Sequence, residues 1–131
     1  MSDIIRWGII GCGRIARKFA RCMKDVRGAE LTAVASATPG KAQAFAAEYG
    51  VDSAYEGYNQ LVERDDIDAV YVATTHNFHY ENAKLALEHG KAVLCEKSLT
   101  VAAWEAEELV KLARERKVFL MEAMWTRFLP A

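Results

Sequence analysis

The stretch Ile4 to Ala16, "IIRWGIIGCGRIA", joins an apolar run to a glycine-rich turn, and the turn to a helical pattern. "IIRWGIIG" reads as a strand. "GCGRIA" is Gly11-x-Gly13-x-x-Ala16, after which Ile15, Ala16, Phe19 and Met23 share one helix face. Each small residue has a job at this spacing. Gly11 permits the tight turn, Gly13 lets backbone approach a pyrophosphate, and Ala16 allows close helix–strand packing. The helix start adds free N–H groups and the positive end of a dipole. A glycine pattern alone fits an ordinary turn equally well. With a strand before it and a helix after it, in the first strand–helix unit, it points to dinucleotide binding.

The same alternation runs outward from this unit. "AELTAVASA" is a second strand, and Thr38 is expected to cap the next helix, with Pro39 at its first position. Ala42, Phe45, Ala46 and Tyr49 form that helix's inner face. A short strand near 54–55 and a short helix near 58–63 follow, then the apolar strand "DAVYVAT". A helix over 78–89 ends at Gly90 as a C′ glycine. "KAVLC", a helix over 101–116 burying Ala102, Ala106, Leu109, Val110 and Ala113, and "KVFLM" complete the pattern. Strands apolar on both faces, alternating with helices, imply a mainly parallel sheet covered on both sides. Right-handed crossovers make it doubly wound. The expectation is an α/β chain with a six-stranded sheet of Rossmann type, one dinucleotide-binding domain over residues 1–131.

Composition narrows the partners. The chain has 131 residues, 52% hydrophobic and 27% charged, with a net charge of −1 and the signs interspersed. No basic stripe offers itself to nucleic acid or to an anionic membrane. No apolar run is long enough to span a bilayer, and Asp3 and Arg6 interrupt any secretory h-region. Cys12, Cys22 and Cys95 form no Cys-x-x-Cys pair, which suits reduced thiols in a cytoplasmic protein better than disulfides or zinc. No metal site is expected.

Polar residues gather where strands end. Between Leu31 and Ala47 there is no acid to bond a ribose 2′-hydroxyl; Ser36, Thr38 and Lys41 stand there instead. Two hydroxyls, a cation and a helix start suit a 2′-phosphate, so NADP is expected over NAD. After the fourth strand comes "ATTHNFHYENA", with Thr74, Thr75, His76, Asn77 and His79. Loop capping accounts for Thr75 and Asn77, while His76 and His79 are candidates for proton transfer. Glu96 and Lys97 end the fifth strand, and Glu122 to Arg127 follow the sixth. Lys97 could polarise or protonate a substrate oxygen, with Glu96 orienting it; the competing reading is an exposed loop ion pair. In a parallel sheet all these clusters crowd one edge, the one where such sheets bind ligands.

"WGIIGCGRIA", "ATTHNFHYENAKLALEHGKAVLCEKSLT" and "FLMEAMWTRFLP" together resemble the N-terminal domain of the Gfo/Idh/MocA oxidoreductase family, closest to its dihydrodiol dehydrogenase and glucose–fructose oxidoreductase type. The resemblance implies NAD(P)-dependent hydride transfer on sugars or diols and a second, larger substrate domain, which is expected to be absent from this chain. It implies that Gly11, Gly13, Arg14 and Ile15 form the cofactor loop. Ser36, Ala37, Thr38 and Lys41 would form the ribose and 2′-phosphate loop, with Ala37 where NADP-using relatives often have arginine. Thr74, Thr75, Asn77 and His79 would line the nicotinamide side. Glu96 and Lys97 match a Glu-Lys-Pro motif, with Ser98 in the proline position. Trp125 and Arg127 would meet the cofactor where the second domain begins. Lys97 and His79 are the catalytic candidates. An isolated cofactor domain of this kind is expected to bind NADP(H) without turning over substrate. The alternative is a non-enzymatic Rossmann module for ligand sensing or structure; a methyltransferase would want an acid after the second strand. Trp125, Phe128 and Leu129 follow the last expected strand, and no later element is expected to cover them, so a homodimer is expected.

Overall fold

Ile9 and Ile10 are both fully buried, on opposite faces of one strand, because helices cover the sheet on both sides. That strand is β1 (Ile5–Ile10). The structure, a computed structural model, describes residues 4–123. After β1 come α1 (Arg14–Met23), β2 (Ala29–Ser36), α2 (Lys41–Tyr49), β3 (Ser53–Glu56), α3 (Asn59–Val62) and β4 (Ala69–Val72). A 3-10 turn (His76–Phe78) leads into α4 (His79–Glu88), followed by β5 (Ala92–Glu96), α5 (Ala103–Arg116) and β6 (Leu120–Ala123). The strands lie in the order β3-β2-β1-β4-β5-β6 and every neighbouring pair is parallel. This is the doubly wound α/β sheet that the alternation implied.

The core divides at the sheet. On one face α1 and α2 bring Ala16, Ala20, Ala42 and Phe45 against Ile9, Val34 and Tyr71. Small residues on α1 let it lie close to the strands, and Phe19 stacks on Tyr71 with ring centroids 4.0 Å apart. On the other face α3, α4 and α5 bring Leu61, Leu87 and Leu109 against Ile10, Val70, Val72 and Val93. Each such side chain contributes about 1.5–3 kcal/mol by leaving water. α4 ends as its glycine foretold: the Gly90 N–H donates to Leu87 O at 2.9 Å and the Lys91 N–H to Ala86 O at 3.0 Å.

Two local expectations need correction. Thr38 does not cap α2. Pro39 and Gly40 form a turn instead, closed by the Lys41 N–H on Thr38 O at 3.2 Å, and Gly40 takes φ 76°, ψ −12°. Proline then glycine suits the two central positions of such a turn better than a helix start, so α2 begins two residues later. Val110 lies on the exposed side of α5. That helix packs chiefly on α4 and buries only a narrow stripe, Leu109 and Ala113, with Leu112 partly buried beside them.

Trp125 and Arg127, together with the Phe128 and Leu129 on which the homodimer expectation rests, fall outside the described residues. Among the described residues no helix is long and apolar enough to cross a membrane.

The strand order reverses between β1 and β4, so the loops leaving them turn to opposite faces and a crevice opens between them. Gly11 sits at its root with φ 97°; a Cβ there would lie 2.8 Å from Thr74 N and 2.9 Å from the Ala73 carbonyl carbon. Only a residue without a side chain fits both the dihedral and the gap. Gly11→Ala is therefore expected to lower stability by about 2 kcal/mol or more. Urea denaturation measures it; an unchanged midpoint would contradict the packing described.

Candidate functional site

Four loops meet at the carboxyl edge of the sheet, after β1, β2, β4 and β5. The first runs from Gly11 to α1. Gly13 precedes α1 with φ −91° and ψ −162°, an extended conformation open to any residue. Among the described residues, a Cβ built on it meets nothing within 4 Å. The fold itself thus has no need of glycine at 13; the space above it is left open. Among the described residues no side chain caps α1, and its first turn carries no acid to offset its positive end. Arg14 is exposed and Ile15 half-buried beside it. Cys12 points inward, its thiol donating to Ala35 O at 3.5 Å. Burial pushes that thiol up to about 11, against the pull of the Lys41 and Arg17 charges.

In the second loop Ser36 is buried, and its hydroxyl oxygen accepts the Thr38 N–H at 3.2 Å. Ala37, Thr38 and Lys41 are exposed. Lys41 is near enough to act on the Cys12 thiol, so its charge belongs to the rim of the same crevice. Tyr58, which the sequence did not single out, lies half-buried under this loop; burial raises its phenol, opposed by the Ala37 N–H.

The third loop is built on internal bonds. Thr75 donates to Asn77 Oδ1 at 2.7 Å, and Asn82 donates to the Thr74 hydroxyl at 3.1 Å. His76 and Asn77 are exposed. His79 is not: it is 1% exposed, with Nε2 2.9 Å from Thr74 O and Nδ1 2.6 Å from Ser98 O. Both ring nitrogens face backbone carbonyls, and neither is open to a substrate. That corrects the expectation of a catalytic His79 facing a substrate: the ring ties the loop after β4 to the loop after β5.

In the fourth loop Lys97 is exposed at the end of β5, while Glu96 turns away from it. The Tyr71 hydroxyl donates to Glu96 Oε2 at 2.5 Å. Neighbours at a strand end point to opposite sides, so the expected Glu96–Lys97 pairing gives way to a Tyr71–Glu96 bond. The pair heads a cavity of 370 Å³ along α1, lined by Ile15, Phe19, Leu94 and Met121. The Lys97–Ser98 peptide is cis. Beyond it, Glu122 Oε2 accepts the Leu99 N–H at 2.6 Å. Tyr71 was the residue with a readable signal: a phenol in an otherwise aliphatic strand needs a partner for its O–H. Among the described residues no cluster of three or more His, Cys, Asp or Glu could hold a metal ion.

The model of an oxidoreductase family with an NAD-binding Rossmann fold, Gfo/Idh/MocA, matches residues 5–124. The chain belongs to the Gfo/Idh/MocA family. It is 44% identical over 140 residues to the D-xylose 1-dehydrogenase (NADP(+)) of Hypocrea jecorina, covering 96% of this chain and 35% of that enzyme. The trans-1,2-dihydrobenzene-1,2-diol dehydrogenase of Mus musculus is 40% identical over 129 residues, 97% of this chain and 39% of that one. Among solved structures, the 3-ketoreductase KijD10 of Actinomadura kijaniata, in complex with NADP and TDP-benzene, superposes with a TM-score of 0.92 at 41% identity. That match covers 97% of this chain and 39% of KijD10. The chain thus spans less than half the length of these relatives.

The buried thiols give a check on how closed the site's floor is. Burial pushes Cys95 up to about 12, with the Glu122 and Glu96 carboxylates adding to it, while Cys22 is exposed. Ellman's reagent at pH 8 should titrate one thiol rapidly in the folded chain and three after unfolding; a second fast thiol would contradict the packing around Cys12 or Cys95. Both thiols are raised in the folded state. Their contribution to stability is full below the ordinary thiol value of 9.0 and fades as pH rises towards about 11 and 12.

Proposed function

We propose that the chain binds NADP(H) along the carboxyl edge of its sheet and serves hydride transfer on a sugar or diol. The observation that carries this reading is Gly13, a glycine the fold does not require, beneath open space at an uncapped helix start. A pyrophosphate fits that description: it needs close backbone approach, free N–H groups and no side chain in the way. Gly11, Gly13, Arg14 and Ile15 would hold it. The acid-free second loop supports NADP rather than NAD, with Ser36, Ala37, Thr38 and Lys41 around a 2′-phosphate. The relatives support it too: the Hypocrea jecorina enzyme is named for NADP(+), and KijD10 was solved with NADP.

Thr74, Thr75 and Asn77 would border the nicotinamide side, with Trp125 and Arg127 contributing from beyond the described residues. When bound, the cofactor supplies the hydride acceptor or donor. Lys97 then has the work that an exposed ammonium at this edge can do: it donates an N–H to the substrate oxygen and holds its proton. Glu96 would act from the Tyr71 side, as a hydroxyl acceptor for the cofactor's ribose. The sugar or diol reading rests on relatives that act on such molecules. Because those relatives are more than twice as long, we take turnover to need polypeptide beyond residues 1–131, so this chain alone would bind cofactor without consuming it.

Calorimetry should show NADP+ bound about tenfold or more tighter than NAD+, about 1.4 kcal/mol. Equal affinities would contradict the reading of the second loop, and Ser36→Asp should move the preference towards NAD+. Gly13→Val should melt near the unsubstituted chain yet lose NADP+ binding. Retained affinity in that folded variant would show that the open space over α1 is not the pyrophosphate site.

A further inference from the structure

The polypeptide between β5 and α5 carries Lys97 across the edge of the sheet without a ladder partner of its own. It is fixed at one peptide plane. The Ser98–Leu99 unit is gripped at both ends by side chains from other elements: His79 Nδ1, on the first residue of α4, lies 2.6 Å from Ser98 O, and Glu122 Oε2, on β6, accepts the Leu99 N–H at 2.6 Å. The carbonyl is held from one side and the N–H from the other, so the plane can neither flip nor slide without breaking a short bond. Lys97 is the residue just before this unit.

Resting on the proposed role of Lys97, we infer that Glu122 is a positioning residue that aims Lys97 into the crevice through the Leu99 N–H, with His79 as the opposite jaw. Glu122 fits the task in three ways. Its place on β6 is set by register, opposite Cys95 on β5, which brings its carboxylate level with the strap. It is half-buried, and among the described residues no cation is paired with it, so its carboxylate is left to the Leu99 N–H. And a charged acceptor makes a stronger bond to a backbone N–H than a neutral one, which suits a fixed strap.

The experiment is trace acetylation of the 131-residue chain with acetic anhydride, with and without saturating NADP+. Mass spectrometry follows Lys97 relative to Lys24, which lies at the opposite edge of the sheet. In the unsubstituted chain NADP+ should protect Lys97. In Glu122→Ala that protection should be lost while calorimetry still finds NADP+ bound. Glu122→Gln keeps an acceptor at the same reach and should retain protection. Glu122→Asp keeps the charge but falls short by one methylene and should lose it, which also serves if the alanine variant does not fold. A merely structural role would follow melting temperature across the three variants rather than reach. Protection that survives in Glu122→Ala or Glu122→Asp overturns the inference alone. NADP+ bound with no protection of Lys97 in the unsubstituted chain removes Lys97 from the site and overturns both the inference and the reading beneath it.

Discussion

Everything at the carboxyl edge depends on how closely the turn after β1 approaches the end of β4. Gly11 makes that approach with its backbone alone, at a dihedral that side chains avoid, against the Ala73–Thr74 peptide. From this one contact follow the direction in which α1 leaves the sheet, the open space above Gly13 and the depth of the crevice at the switch point. A side chain at Gly11 would push the two loops apart. A side chain at Gly13 would leave them in place and fill the gap between them. The two glycines of one motif therefore stand under different constraints: the fold requires the first and leaves the second free.

The other loops are arranged around that crevice by side chains acting on backbone. Ser36 turns the second loop through the Thr38 N–H, His79 links the third loop to the fourth, and Glu122 holds the fourth from β6. Three buried or half-buried polar side chains thus satisfy main-chain groups that no strand or helix reaches. Lys97, Lys41 and Arg14 are left at the rim with their charges exposed. An edge built this way has bonded backbone and exposed cations, a combination that suits a ligand carrying phosphates.

The sheet was legible because its signal is local: apolar runs, Ala16 at the start of α1, and Gly90 where α4 ends. The candidate loops were legible for the same reason, since parallel topology sends every strand end to one edge. What the sequence hid were partners far apart along the chain. Nothing near Glu96 announces that it bonds Tyr71 across the sheet rather than Lys97 beside it. His79 reads as a free loop histidine until Ser98 and Thr74 are brought to its two nitrogens. Pro39 was misread because proline opens both helices and turns, and the glycine after it decided for the turn. Val110 was misread because helical spacing marks a face without saying how wide a stripe the neighbouring elements cover.

On the proposed function, the space over Gly13 and α1 is a pyrophosphate site and the Ser36–Lys41 loop a 2′-phosphate site. A crystal structure of the chain grown with NADP+ tests it most directly. The expected density has the pyrophosphate within hydrogen-bonding reach of the first N–H groups of α1 and the 2′-phosphate beside Ser36, Thr38 and Lys41. Density for the dinucleotide elsewhere on the molecule, or an ordered water network over Gly13 at saturating NADP+, would contradict it.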